Sequence, residues 1–128
     1  MKNSFKLVLA SMSPRRMELL RDLGYEFTVM NPSVDETFPE DLSPEEVPVF
    51  LAGKKLDFAL ISASDNETIF IAADTIVICK GEIMGKPLDQ ADAYKKLRKI
   101  SGKTHLVITG VCIGKKTKKK NFDDKTEV

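Results

Sequence analysis

The sequence predicts an α/β fold, a twisted mixed β-sheet flanked by helices, and three observations carry that prediction. Short runs of aliphatic residues alternate along the chain with amphipathic segments of helical period. Two helix starts are marked by a capping serine followed by proline, at Ser13-Pro14 and Ser43-Pro44. The segment Thr68 to Cys79 is rich in Ile and Val, the composition of a central strand.

At 128 residues, 42% hydrophobic and 30% charged, the chain has the size and composition of one soluble domain spanning 1–128 with a real core. A formal net charge of +1 gives no global basis for a nucleic-acid or membrane partner. No apolar run approaches the ~20 residues of a membrane span. The first residues, with Lys2, Lys6 and only a short apolar run, lack the form of a signal peptide, so a cytoplasmic location is expected. Cys79 and Cys112 lie in apolar runs without Cys or His at metal-ligand spacing, which predicts buried, reduced thiols.

In chain order, Phe5 to Ala10 reads as a buried strand and Pro14 to Leu23 as a helix. Met17, Leu19, Leu20 and Leu23 would face the core, and Gly24 would end the helix. Glu26 to Met30 alternates as a second strand, and an acidic, proline-bearing loop follows from Val34 to Leu42. Ser43-Pro44-Glu45-Glu46 has the form of a capping box, and the spacing of Val47, Phe50, Leu51, Leu56, Phe58, Ala59 and Leu60 carries a long helix to about Ser62. In the strand from Thr68 to Cys79, Asp74 and Thr75 interrupt the apolar run. A carboxylate there is either bonded locally at a bulge or meets a cation in a cleft, because burying it unpaired costs several kcal/mol. Lys80-Gly81-Glu82 turns the chain, Ile83 and Met84 return it, and Gly85-Lys86-Pro87 precedes a helix of Ala91 to Ile100 capped by Asp89. Thr104 to Ile113 is a further strand containing His105, read as a half-buried strand histidine. The basic run Lys115 to Lys120, with Asp123, Asp124 and Glu127 after it, reads as a solvated hairpin turn, a disordered end or an anion-binding strip.

The stretch Leu9 to Arg16 (Leu-Ala-Ser-Met-Ser-Pro-Arg-Arg) joins a strand to a helix and reads either as an anion cradle or as an ordinary capped helix with two solvated arginines. Ser13 caps the helix, Pro14 opens it, free backbone N–H groups face outward, and the paired arginines offer planar forks for phosphate oxygens. Arg15, Arg16, Lys55 and Lys86 supply positive charge, while Asp35, Glu36 and Asp74 supply hard oxygen ligands. That is the inventory for a metal-bound polyphosphate, since Mg²⁺ takes carboxylate, water and phosphate oxygens. There is no Gly-rich loop ending in Gly-Lys-Ser/Thr, so a P-loop is absent.

These residues carry a resemblance. Leu9 to Arg16, Asp35-Glu36, Leu51 to Lys55 (Leu-Ala-Gly-Lys-Lys), Ala72 to Thr75 (Ala-Ala-Asp-Thr), Gly85-Lys86-Pro87 and Ser101 to His105 with Thr109-Gly110-Val111 occur in the order seen in the Maf family, which the chain resembles from Leu7 to Ile113. The resemblance implies a fold of the Maf and inosine-triphosphatase type. It also implies a house-cleaning enzyme that converts a nucleoside triphosphate to the monophosphate and pyrophosphate with a divalent cation, Mg²⁺ or Mn²⁺. Carried over by position, Asp74, Glu36 and Lys86 would be catalytic, with Asp74 the general base. Ser11, Ser13, Arg15, Arg16, Lys55 and Thr75 would bind substrate, and Glu36 and Asp74 would hold the metal. Thr75 resembles the subfamily acting on dTTP and UTP, where a glutamine would resemble the one acting on methylated GTP.

Family members were first described as septum-formation inhibitors, and a non-catalytic nucleotide-binding or regulatory protein is the alternative. They usually continue through a Lys-Ala-Gly-Ala-Tyr-Gly-Ile-Gln-like segment beyond the position of Val128. A chain that is short at its C-terminus relative to the family is expected to leave apolar surface for a partner chain, as in a homodimer. Nucleic-acid binding through Lys115 to Lys120 is disfavoured, since Phe122 is the only aromatic beside that strip.

Overall fold

The computed structural model describes residues 5–84 and 105–127. Gly85-Lys86-Pro87, Asp89 and the helix expected over Ala91 to Ile100 lie outside the described residues. The chain runs β1 (Leu7–Ala10), α1 (Pro14–Asp22), β2 (Thr28–Met30), a 3-10 turn (Pro44–Glu46) continuous with α2 (Val47–Ile61), β3 (Ile69–Cys79), β4 (Glu82–Met84), β5 (Leu106–Lys115) and β6 (Lys118–Glu127). The sheet order is β2-β1-β3-β5-β6, with β4 paired to β3. β1 is parallel to β2 and β3, and every other pairing is antiparallel, so the sheet is mixed as expected.

β3 is the spine. One of its edges pairs with β5 continuously from Phe70 to Ile78. Its other edge pairs with β1 through Ala72 and with β4 only from Val77 onward. Among the described residues, Ala73 to Ile76 therefore have no strand on that second edge. The unbroken register Ala73↔Val111, Asp74↔Gly110, Thr75↔Thr109 rules out a bulge at Asp74.

Side chains alternate between the two faces of a strand, so Phe70, Ala72, Asp74, Ile76 and Ile78 share one face and Thr75 points to the other. The first face is covered by α2. Val47, Pro48, Leu51, Ala52, Leu56 and Ala59 form its buried stripe at helical spacing. They pack in two groups, Ala52, Leu56 and Ala59 with Ala10, Phe70, Ala72 and Cys112, and Val47 and Leu51 with Ile76, Ile78 and Ile108. Gly110 lets α2 sit this close: a Cβ there would stand 2.3 Å from the Val49 nitrogen and 2.4 Å from the Pro48 carbonyl carbon. Cys79 and Cys112 are free and buried, as the sequence predicts.

Two expectations need correction. No residue of α1 is buried, and Leu19 and Leu23, placed in the core by their spacing, are 46% and 71% exposed. Periodicity identifies the apolar face of a helix but not whether anything covers it. The Ser43 hydroxyl meets the Glu46 carboxylate at 2.9 Å instead of capping a backbone N–H, so the reciprocal capping box gives way to the 3-10 turn. The basic run is a hairpin turn, the first of its three readings, and the residues after it form β6 along the whole of β5.

Candidate functional site

Two clusters of polar side chains border the unpaired stretch of β3, one on each face of the sheet. On the α2 face, Lys55 lies one helical turn after Leu51 and one before Ala59, within the stripe that faces the sheet. Its ammonium reaches the Asp74 carboxylate at 2.9 Å, with the two side chains 14% and 12% exposed. Glu36, on the acidic loop and half exposed, approaches the same ammonium at 3.9 Å. Asp74 thus meets a cation, as in the second of the two expectations for it, and the cation is a lysine.

The loop carrying Glu36 is tied down by its neighbours. Asp35 accepts hydrogen bonds from the Thr37 N–H at 3.1 Å, from the Thr37 hydroxyl and from the Lys54 ammonium at 2.8 Å. Lys54 also donates to the Thr37 carbonyl at 3.0 Å and lies over the Phe50 ring. Adjacent acids on the loop thereby meet adjacent lysines on α2. The Lys54 hydrogen bond, then those from Thr37, hold the Asp35 carboxyl far below the usual carboxylate range. Asp35 was grouped with the oxygen ligands by its chemistry, but here it anchors the loop.

On the opposite face, the chain leaves β1 at Ala10 and turns at Ser11, whose buried hydroxyl accepts from the Ser13 N–H at 3.1 Å. Ser13 caps α1, accepting from the Arg16 N–H at 3.3 Å, with Pro14 in the first turn. The Arg16 guanidinium donates to the Ser11 hydroxyl at 3.5 Å and to the Thr75 hydroxyl at 3.1 Å. Thr75 in turn shares a 2.9 Å hydrogen bond with Thr109. Thr109 is a residue that sequence reasoning did not place in the site, although Thr109-Gly110-Val111 carried part of the resemblance; the register of two strands distant in sequence brings it there.

Of the predicted residues, the structure therefore gathers Glu36, Lys55 and Asp74 on one side and Ser11, Ser13, Arg16 and Thr75 on the other. Arg15 joins neither: it is 74% exposed and pairs with Glu18 at 3.8 Å on the surface of α1. Lys86 lies outside the described residues. His105 is half-buried just ahead of β5, as read from its surroundings.

Among the described residues, no group of three or more His, Cys, Asp and Glu stands close enough to hold a metal alone. Glu36 and Asp74 converge on one cation and are hard oxygen donors. Mg²⁺ usually takes one or two carboxylates and completes its shell with water and phosphate oxygens. This donor set fits a divalent cation that arrives with a polyphosphate. In open α/β sheets ligands bind beyond the carboxyl ends of the parallel strands, where connections diverge to opposite sides. The end of β1, between β2 and β3, is that place. No helix among the described residues is long and apolar enough to cross a membrane.

Comparisons with known proteins bear on the fold and the family. The fold is similar to that in "The structure of the Staphylococcus aureus Ham1 protein", with a TM-score of 0.63 over 95% of this chain and 70% of that one, at 18% identity. Among curated proteins, the dTTP/UTP pyrophosphatase of Bacteroides fragilis is 46% identical over 125 residues, covering 97% of this chain and 64% of the relative. Those of Caldicellulosiruptor saccharolyticus and Porphyromonas gingivalis are 46% and 43% identical, covering 84% and 92% of this chain. The chain spans 55% and 60% of the lengths of these two relatives. The family model described as Maf-like protein matches residues 6–128, through both polar clusters, and the chain belongs to the Maf family.

Proposed function

We propose that this chain carries the site of a nucleoside triphosphate pyrophosphatase, hydrolysing dTTP, UTP or related non-standard nucleotides to the monophosphate and pyrophosphate. The observation that carries the reading is the nearly buried Asp74–Lys55 pair at the unpaired stretch of β3, with Glu36 beside it and the Ser11–Arg16–Thr75 cluster across the strand. A buried ion pair is weak evidence for stability, because desolvation offsets much of its attraction. Its place beside a stretch of β3 that no described strand pairs supports a chemical role. The printed names of the relatives support the substrate class.

In this reading the triphosphate lies beside the unpaired stretch of β3, with Arg16 and the positive end of the α1 dipole gripping phosphate oxygens. Lys55 neutralises charge that builds as pyrophosphate leaves, and Asp74 takes the proton of the attacking water at its carboxylate oxygen. Ser11 and Ser13 keep the loop and Arg16 in position. Arg15, free to swing from Glu18, and Lys86 add positive charge. Most of the rate enhancement comes from positioning and electrostatics. Glu36 and Asp74 would hold Mg²⁺ or Mn²⁺, which when bound offsets phosphate charge and makes water more acidic. Exposed apolar residues such as Leu19 and Leu23 support a homodimer as the working assembly, and the cytoplasm, where nucleotides are made, is the expected location.

Chromatographic product analysis with a panel of nucleoside triphosphates and Mg²⁺ or Mn²⁺ tests this. Monophosphate and pyrophosphate are expected from UTP or dTTP with the native chain, and a loss of at least about a hundredfold with Asp74→Asn. Tight nucleotide binding without turnover would instead support the non-catalytic, regulatory reading. Equal activity in Asp74→Asn would remove Asp74 from the chemistry.

A further inference from the structure

We infer that the outer edge of β6 is a self-association surface, on which a second copy of this chain adds its own β6, antiparallel and centred on Asn121, to continue the sheet. This gives the proposed homodimer a surface other than the apolar face of α1, and it does not depend on the nucleotide reading.

β6 ends the strand order β2-β1-β3-β5-β6 and pairs with β5 without interruption from Lys118 to Glu127. Among the described residues, no strand lies along its other edge. An edge strand presents a row of backbone N–H and C=O groups that can pair with another chain, and proteins commonly blunt such an edge with proline, a bulge, a short strand or charge. β6 is 10 residues long, has neither proline nor bulge, and is exposed from Lys118 to Lys125. Charge alone guards it, and the charge is segregated: Lys118, Lys119 and Lys120 precede Asp123 and Asp124. β5 does not neutralise these groups, because Lys118 faces Lys115, Lys120 faces Ile113, and Asp123 and Asp124 face Gly110 and Thr109. Among the described residues, Lys118, Lys120, Asp123 and Asp124 make no ion pair, whereas Lys119 meets Asp57 at 2.7 Å and Lys125 meets Glu45 at 3.3 Å.

A two-fold axis normal to the sheet brings together side chains of the same face, so antiparallel copies can centre on a residue but not between two. Centred on Asn121, Lys118 stands opposite Asp124 and Lys119 opposite Asp123, each twice by symmetry, and no like charges are opposed between Lys118 and Asp124. Lys120 stands opposite Phe122, an exposed ring that the lysine stem can cover. Neighbouring registers fail. Centring on Lys120 or Asp123 sets that residue against itself, and centring on Phe122 sets Lys119 against Lys125. Parallel pairing in register sets lysine beside lysine. Opposite charges directly across two strands stabilise the pair and like charges destabilise it, so this pattern selects one orientation and one register.

Sedimentation equilibrium of the chain over a range of concentrations tests this. A dimer is expected, and it should weaken as salt is raised, because exposed charges are screened over about 10 Å at 0.1 M and over less at higher salt. Lys118→Glu and Asp124→Lys each turn the paired attractions into repulsions and should each raise the dimer dissociation constant by about tenfold or more. Mixed in equal amounts, the two variants should recover a dimer of near-native strength, since each then meets opposite charge at both contacts; recovery also shows that both are folded. Lys120→Glu makes the same change in net charge opposite Phe122 and should weaken the dimer less. A monomer at every concentration, a dimer indifferent to Lys118→Glu and Asp124→Lys, or a mixture that stays dissociated overturns the inference. A dimer lost only in Leu19→Ser overturns it in favour of α1. Turnover of nucleotide is a separate readout, on which none of these outcomes bears.

Discussion

Replacing Lys55 with methionine keeps the length of the side chain and removes its charge, leaving the Asp74 carboxylate without its 2.9 Å partner. Breaking a fully buried pair from one side costs about 3–5 kcal/mol. Here the side chains are 14% and 12% exposed, so water reaches part of Asp74, and the expected cost is about 2–3 kcal/mol. Glu36 adds nothing measurable, being half exposed and 3.9 Å away. For a chain of this size the loss corresponds to a fall in Tm of roughly 10 °C. Urea denaturation of Lys55→Met, Asp74→Asn and the double variant measures it as a cycle, without nucleotide present. The double variant should be more stable than Lys55→Met alone, because the second change removes the uncompensated charge. A single-variant cost below about 0.5 kcal/mol, or additive effects, would refute the view that Asp74 is held desolvated by Lys55.

Other consequences are equally checkable. Asp35 is depressed by Lys54 and Thr37, so the stability it contributes is present above the ordinary aspartate pKa of about 3.9 and is lost as pH falls through the lower folded value. The gap in urea midpoint between the native chain and Asp35→Asn should accordingly be largest near neutrality and shrink below about pH 4, and a gap that widens in acid would contradict the assignment. Gly110→Ala should destabilise by about 1–3 kcal/mol or more, since the added carbon would stand 2.3 Å from backbone that cannot turn aside; an unchanged Tm would mean that α2 does not sit on β5 as described. Burial pushes the Cys112 thiol up and Cys79 is buried as well, so a thiol reagent at pH 7 should label neither until the chain unfolds. Immediate labelling under native conditions would count against this packing.

Much of the architecture was legible because local signals sufficed. Ser13-Pro14 starts a helix, the stripe from Val47 to Ala59 faces a sheet, and the Ile- and Val-rich segment ending at Cys79 is the central strand. Asp74 announced itself as a carboxylate in an apolar strand, and the structure supplies its cation from α2. What the sequence concealed depends on contacts between distant segments. The solvent-facing position of α1 depends on what surrounds Leu19 and Leu23, not on their spacing. β6 is mostly charged and was not read as a strand, yet Lys119 meets Asp57 at 2.7 Å and Lys125 meets Glu45 at 3.3 Å, fastening it to α2 and the turn before it. Thr109 enters the site through the register of β3 and β5.

The central claim is that water activated at Asp74 attacks the α-phosphorus of a nucleoside triphosphate. Turnover of UTP in ¹⁸O-enriched water, with the products separated and weighed by mass spectrometry, tests it most directly. The account predicts one ¹⁸O atom in the uridine monophosphate and none in the pyrophosphate. Label in pyrophosphate, release of inorganic phosphate as the first product, or no hydrolysis would contradict it.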